Sequence, residues 1–284
     1  MKQFRALLKK EWQTNKHTFL IPLWFIGGGY AIVILGFLIN LIKGNKMVAA
    51  FSTLNMPPNM KELFLFSSSA SFVIALGFVT MISSIILADS LINGGFKRKC
   101  EILHLSQPVS MFKIIAAKYL FMTLGTMLLL AIVSFVNSMV LSVFFNINSG
   151  AHLYFGIVAW AQTFVQVCFT VLFVSSLYWL FAGLFKRKSF VMGTLLVFAI
   201  QIAISILNYT ANMHIPSLIS YLVKLSTVQL HMDLSLYLKD LGIFSNAVEG
   251  RWKYLLDAYT LQRVVLSAVF FLAGSWLYNT RELS

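Results

Sequence analysis

The stretch NGGFKRKCEILHLSQPVSMFKIIAAKY, Asn93–Tyr119, decides how this chain is organised. It lies between two long apolar runs and holds the densest cluster of charge in the sequence. Gly94 and Gly95 predict a break, after which Lys97, Arg98 and Lys99 lead into a short amphipathic helix through Glu101. Pro108 stops that helix, and Ser110 is placed to cap the next one. Two readings compete: a solvated loop serving topology alone, or a docking element for a soluble partner.

Composition sets the surroundings of this insert. The 284 residues are 59% hydrophobic and only 11% charged, with a mean hydropathy of +0.82, which indicates an all-α polytopic membrane protein. The formal net charge of +13 does not call for nucleic acid, because 13 of the 22 Lys and Arg fall in four short segments between or beside apolar runs. That is a topology signal and suits contact with anionic membrane lipid. Cys100 and Cys168 are expected as free thiols, and the five histidines (17, 104, 152, 214, 231) show no metal-ligand spacing. The first apolar run is long and lacks a small-x-small cleavage site, so it is expected to be a retained anchor.

Along the chain, residues 1–18 form a basic segment with Phe4, Leu7, Leu8 and Trp12 on one helical face, expected to lie in the membrane interface. Six spans are expected at 19–42, 67–91, 114–145, 153–185, 190–209 and 264–278, with 43–66 as a short outer loop. Spans three and four exceed 30 residues, roughly 50 Å of helix against a hydrocarbon core of about 30 Å, so they must tilt or project. Residues 93–113 form a loop on the inner side. Residues 210–263 are expected as a re-entrant outer segment, and whether 215–230 crosses is open. Inner segments carry five, four, three and one Lys or Arg, which places both termini in the cytoplasm and the chain in the cell membrane.

No catalytic constellation stands out. There is no phosphate-binding loop, no nucleophile with its base and no paired acid, so the chain is not expected to be an enzyme by itself or to bind a cofactor or metal. No ionisable side chain falls near the middle of a span, which counts against proton or sodium coupling. The spans hold neutral polarity instead. Gln162, Gln166 and Thr170 share one face of span four; Ser134, Ser138 and Ser142 share one of span three, with Asn137 beside them. Span five adds Gln201, Ser205 and Asn208. Such residues hydrogen-bond helices together, or they line a conduit or a dimer face.

The 93–119 insert resembles the cytoplasmic loop of permease subunits of ATP-binding-cassette (ABC) exporters of the second type, ABC-2. There a charged run with a glutamate, some aliphatic residues and a Pro-Val-Ser-like turn precede a Lys-containing third span. Here these are Lys97, Arg98, Lys99, Cys100, Glu101, Ile102 and Leu103, then Leu105 to Ser110, then Lys113 and Lys118. The resemblance implies a coupling helix over 96–107 that docks on a nucleotide-binding ATPase subunit, using Phe96, Lys97, Arg98, Lys99, Glu101, Ile102, Leu103, Leu105 and Pro108. It also implies ATP and Mg in that partner, a second permease copy or paralogue, and export of a lipid, peptide, glycan or drug. A non-transporting six-span scaffold or channel subunit is the alternative.

Overall fold

Apolar runs of this length leave the backbone one option in lipid, because each N–H and C=O must be paired inside its own segment. The computed structural model describes residues 2–42, 58–97, 110–149, 152–228, 246 and 248–282, which are helical almost throughout and contain no strand. Helix α1 spans Lys2–Phe19, α2 spans Ile21–Ile42 and α3 spans Pro58–Lys97. A third rod consists of α4 (Met111–Leu120), a π-helical turn (Phe121–Gly125) and α5 (Thr126–Ser149). Then follow α6 (Leu153–Leu184), α7 (Ser189–Thr210), the short α8 (Leu218–Ser226), a 3-10 turn (Arg251–Leu256) and α9 (Ala258–Glu282). Six helices are long and apolar enough to cross a membrane.

The bundle is built around α6, against which α3, α5, α7 and α9 all pack. Small residues allow the closest approaches. A Cβ added to Gly183 would sit 2.8 Å from the Gly274 carbonyl oxygen, and one added to Gly274 would sit 3.0 Å from the Leu180 Cα. Backbone therefore meets backbone where α6 crosses α9. The serine stripe of α5 works in the same way. Ser69 Oγ donates to Ser138 Oγ at 2.9 Å and to the Gly156 carbonyl at 3.2 Å, while Trp160 Nε1 donates to Ser134 Oγ at 2.9 Å. These hydroxyls join α3, α5 and α6, the packing role weighed for such residues above.

Helices α2 and α7 lie outside this core with apolar side chains turned outward, among them Trp24 at 70% exposure. Exposed aromatics mark both ends. Trp12, Trp24 and Trp276 stand at the end that holds the α6–α7 turn, and Tyr154, Tyr209 and Trp252 at the other. Such rings favour the headgroup level of a bilayer.

Several boundaries differ from those expected. Residues 58–66 are not loop: Pro58 takes the first position of α3, where its missing N–H costs little, and Leu63, Leu65 and Phe66 are buried. The helix also runs unbroken through Gly94 and Gly95 to Lys97, so the expected break is absent. Two glycines cost a helix about 1 kcal/mol each relative to alanine, which an otherwise well-packed 40-residue rod tolerates. Ser110 holds the N-cap position with extended backbone, but its hydroxyl makes no capping bond. Its carbonyl accepts from the N–H of Lys113 at 2.9 Å instead.

The last span is 25 residues, not a short one, because Arg263 lies inside the helix rather than before it. Asp257 Oδ1 accepts from the Thr260 N–H at 2.8 Å and caps its start. Within 215–230 the only described helix is α8, whose nine residues reach about 13 Å, too short to cross. The α1 stripe is also placed differently. Leu7 packs on Ile114 and Ala117, with Phe4, Leu8 and Met111 around them, so most of that face rests on α4, while Trp12 stays exposed against the edge of Phe19.

The α6–α9 crossing gives a test of the packing. Gly274→Val should destabilise the bundle by about 1–3 kcal/mol through forced separation of the two backbones. Thermal unfolding in detergent, with Gly36→Val on the outward α2 as the comparison, reads the difference; a Cβ at Gly36 meets nothing within 4 Å.

Candidate functional site

The chemistry that could carry function lies in three places: the end of the bundle from which the 98–109 segment leaves, the cluster around the α6 stripe towards the opposite end, and a groove between α3, α6, α7 and α8. Of the expected docking residues, Phe96 and Lys97 complete α3. Arg98, Lys99, Glu101, Ile102, Leu103, Leu105 and Pro108 lie outside the described residues, as does Cys100.

Both flanks of that segment are fastened to the rest of the bundle. On the α3 side, Asp89 Oδ1 accepts from Asn93 Nδ2 at 2.8 Å and from Ser189 Oγ at 2.7 Å. Asn93 Nδ2 also donates to the Phe185 carbonyl at 3.2 Å. The one acidic residue of span two thus ties α3 to the turn between α6 and α7. One turn earlier in the chain, Ser90 Oγ donates to Asn15 Oδ1 at 2.6 Å, which brings in α1. On the α4 side, Lys118 is buried and its Nζ donates to the Tyr278 hydroxyl of α9 at 3.0 Å. It does not snorkel to the surface, as a lysine near a span end commonly does.

The stripe of span four is buried and faces the 248–256 segment. Gln162 Nε2 donates to the Val248 carbonyl at 2.7 Å, Arg251 Nη2 to Gln166 Oε1 at 3.4 Å, and Thr170 Oγ1 to the Gln166 carbonyl at 2.9 Å. Arg251 is only 2% exposed and stacks over the Phe66 ring at 5.6 Å. Its Nε and Nη1 have no hydrogen-bond partner among the described residues, nor do Gln162 Oε1, Thr163 Oγ1 and Glu62 Oε2. Glu62 spends its other oxygen on His152 Nδ1. Asn137 is buried on α5 and accepts the Tyr30 hydroxyl, linking α5 to α2. The three stripe residues and Asn137 thus each have a partner inside one copy of the chain, with Gln162 Oε1 and Asn137 Nδ2 left over among the described residues.

Helix α8 is held by side chains on both neighbours. Gln201 Oε1 of α7 accepts from Ser217 Oγ at 3.1 Å and from the Ile219 N–H at 3.2 Å. Asn208 pairs with both backbone groups of Ile215, at 2.9 and 3.0 Å. At the far end, Arg263 of α9 donates to the carbonyls of Leu225 (2.9 Å), Lys224 (3.4 Å) and Thr227 (2.7 Å). Those are C-terminal carbonyls with no partner inside the helix, and a guanidinium is the group best shaped to collect several of them. The span-five polar residues therefore clasp a returning helix.

Between α3, α6, α7 and α8 lies a groove of about 670 Å³. Its walls include Phe78, Ile82, Tyr178, Phe190, Val197 and Leu222. Thr194 and Thr227 also face it, but their hydroxyls donate to Phe190 and Val223 carbonyls in their own chain turns. The lining is thus apolar in effect.

Sequence reasoning missed Arg251, Arg263, Glu62 and Asn93. In the sequence the two arginines look only like charges flanking the last apolar run. A better signal lies in α6, because glutamines buried in a span need donors or acceptors from elsewhere. Replacing Arg263 by Met should cost about 2–3 kcal/mol, since three carbonyls lose their donor. Amide hydrogen exchange over 218–226 should rise on the order of tenfold or more while exchange in α6 stays slow. Compared with family models, curated proteins and solved structures, the chain has no match.

Proposed function

We propose that this chain is the membrane-spanning permease subunit of an ATP-driven exporter of the ABC-2 kind. It would move an amphipathic or lipid-like substrate out of the cytoplasm with energy from a separate ATPase subunit, which binds ATP and Mg. The observation that carries this reading is the fastening of both flanks of the 98–109 segment. Through Asp89 and Asn93 one flank reaches the α6–α7 turn, and through Lys118 the other reaches α9. A load applied to the segment is therefore delivered to α3, α4, α6, α7 and α9 together. A loop that served topology alone has no need of such connections.

Helix α1 supports the same reading. Its Leu7 face rests on α4, and its Asn15 bonds to Ser90 of α3, so it braces both flanks. With the stripe of span four engaged inside the chain, the translocation path belongs between two copies, along the outward faces of α2 and α7. Both termini and the docking segment face the cytoplasm in this arrangement, following the distribution of Lys and Arg.

Co-purification tests it. The full chain, expressed with candidate ABC ATPase subunits, should retain one of them, and Glu101→Lys or deletion of 96–107 should abolish that capture. The isolated variant should keep its elution volume, since the deleted residues leave the fastened flanks in place. Intact capture after the deletion would sink the docking claim. A chain that holds no ATPase in any combination points to the six-span scaffold or channel instead.

A further inference from the structure

We propose that the groove between α3, α6, α7 and α8 binds one acyl chain of an anionic phospholipid, with its phosphate held at the Lys186-Arg187-Lys188 turn. This inference stands apart from the ATPase reading and depends only on the chain lying in a membrane.

The first observation is the shape and chemistry of the groove. Along α7 it extends from Phe190 to Phe198, eight residues or about 12 Å of helix. Its volume of about 670 Å³ falls within the ~300–1,000 Å³ typical of ligand sites. The threonine hydroxyls on its walls are occupied within their own turns, which leaves Tyr178 and Ser226 as the other polar side chains of an otherwise apolar lining. An apolar chain suits such walls. Leu222 and Val223 of α8 form one wall, so the groove has a boundary that a plain crevice between two spans lacks.

The second observation is the charge at one end. Phe181 and Phe190 both line the groove, and the turn that joins their helices carries Lys186, Arg187 and Lys188, all exposed. Lys188 sits at the N-cap of α7 in left-handed backbone (φ 51°), and α7 has no side-chain cap bond and no acid in its first turn. The first-turn N–H groups and dipole of a 22-residue helix add to the three cations. Among the described residues, Asp89 is the counter-charge held against this turn. It lies on the inner side of the turn, where its Oδ1 is occupied by Ser189 and Asn93. One carboxylate against three cations leaves the outward side positive. Apolar walls and a basic turn at the foot together match a lipid with an anionic head, whereas a neutral lipid gains nothing from the turn.

The test uses the full chain reconstituted in vesicles with a phosphatidylglycerol carrying a photoreactive group in one acyl chain, and in parallel the phosphatidylcholine equivalent. Labelled peptides are mapped by mass spectrometry. The expected result is labelling of 190–198 and 218–227 that favours phosphatidylglycerol. Lys186→Gln, Arg187→Gln and Lys188→Gln together should erase that preference, at roughly fivefold per charge removed. Retained labelling by phosphatidylcholine shows that this variant is folded. Thr194→Trp, which fills the groove from α7, should abolish groove labelling by both lipids. Ile219→Trp on the α8 wall repeats the plug should the first variant fail to fold. Equal labelling by the two lipids, a preference that survives the triple substitution, or label confined to other faces would each overturn the proposal. No ATPase enters the experiment, so its failure leaves the transport reading untouched, and the reverse holds.

Discussion

A polar side chain inside a membrane protein has no water to fall back on, and α6 meets that constraint along most of its length. Gln162, Thr163, Gln166, Thr170, Ser175 and Ser176 are all buried on one helix. Where they find partners, those partners fix the rest of the molecule. Gln162 and Gln166 hold Val248 and Arg251, which seats the 248–256 segment on the N-terminal half of α6. That segment leads directly into α9, whose Asp257 cap sets the start of the helix and so brings Arg263 to the end of α8. Ser176 does the same towards the other end, through the Tyr119 hydroxyl at 2.6 Å. A chain of polar contacts, each modest at about 0.6 kcal/mol on average, thus orders helices that van der Waals packing alone would leave free to slide.

The sequence revealed what hydrophobic length and period control. The six spans follow from apolar runs, and the shared face of Gln162, Gln166 and Thr170 follows from helical spacing. It did not reveal what charge does once a distant partner is present. Arg263 and Lys118 look like boundary markers in one dimension, yet their partners lie 38 and 160 residues away, and with those partners each sits buried in a helix. Gly94 and Gly95 misled for the opposite reason. Local propensity argued for a break, and the intact hydrogen-bond ladder of a 40-residue rod outweighed it. In the serine stripe of α5, Ser138 accepts from Ser69 and Ser134 from Trp160 across helices, while Ser142 donates within its own helix. The residues expected to dock, Arg98 to Pro108, fall outside the described residues, so the structure speaks only for their flanks.

The two ends of the bundle solve the burial problem differently, and the difference bears on function. At the end carrying the basic turn, Asp89 reaches Ser189, Asn93 reaches the Phe185 carbonyl and Lys118 reaches Tyr278, and Asn93 Oδ1 is the one atom of these three left unused among the described residues. At the other end, Arg251, Gln162, Thr163 and Glu62 are buried with at least one donor or acceptor unused. An unused buried polar atom costs about 1–3 kcal/mol, so an arrangement that holds several is not the most stable one available to those side chains. Unused atoms are more numerous at the second end, so its side chains have more alternative pairings than those at the first. On the proposed reading that second end is the exit.

Motion between these ends has a natural pivot in the third rod. Its foot, α4, is pinned by Leu7 through Ile114 and by Tyr278 through Lys118. Directly above the foot the helix widens into the π-helical turn Phe121–Gly125. Widened turns loosen the regular ladder, and here threonines answer for it. Thr123 Oγ1 donates to the Tyr119 carbonyl at 2.9 Å, and Thr126 Oγ1 to the Met122 carbonyl at 2.6 Å. Phe19, at the junction of α1 and α2, stacks on Phe121 at 5.2 Å, and a Cβ on Gly125 would lie 2.9 Å from its ring. The junction of the first two helices therefore bears on the one described turn of the third rod where α-helical geometry is already given up. A displacement of the foot is resisted along α4 by its pins and along α5 by the serine contacts to α3 and α6. The π turn, with side-chain hydroxyls standing in for ladder bonds, is the least costly place between them to bend.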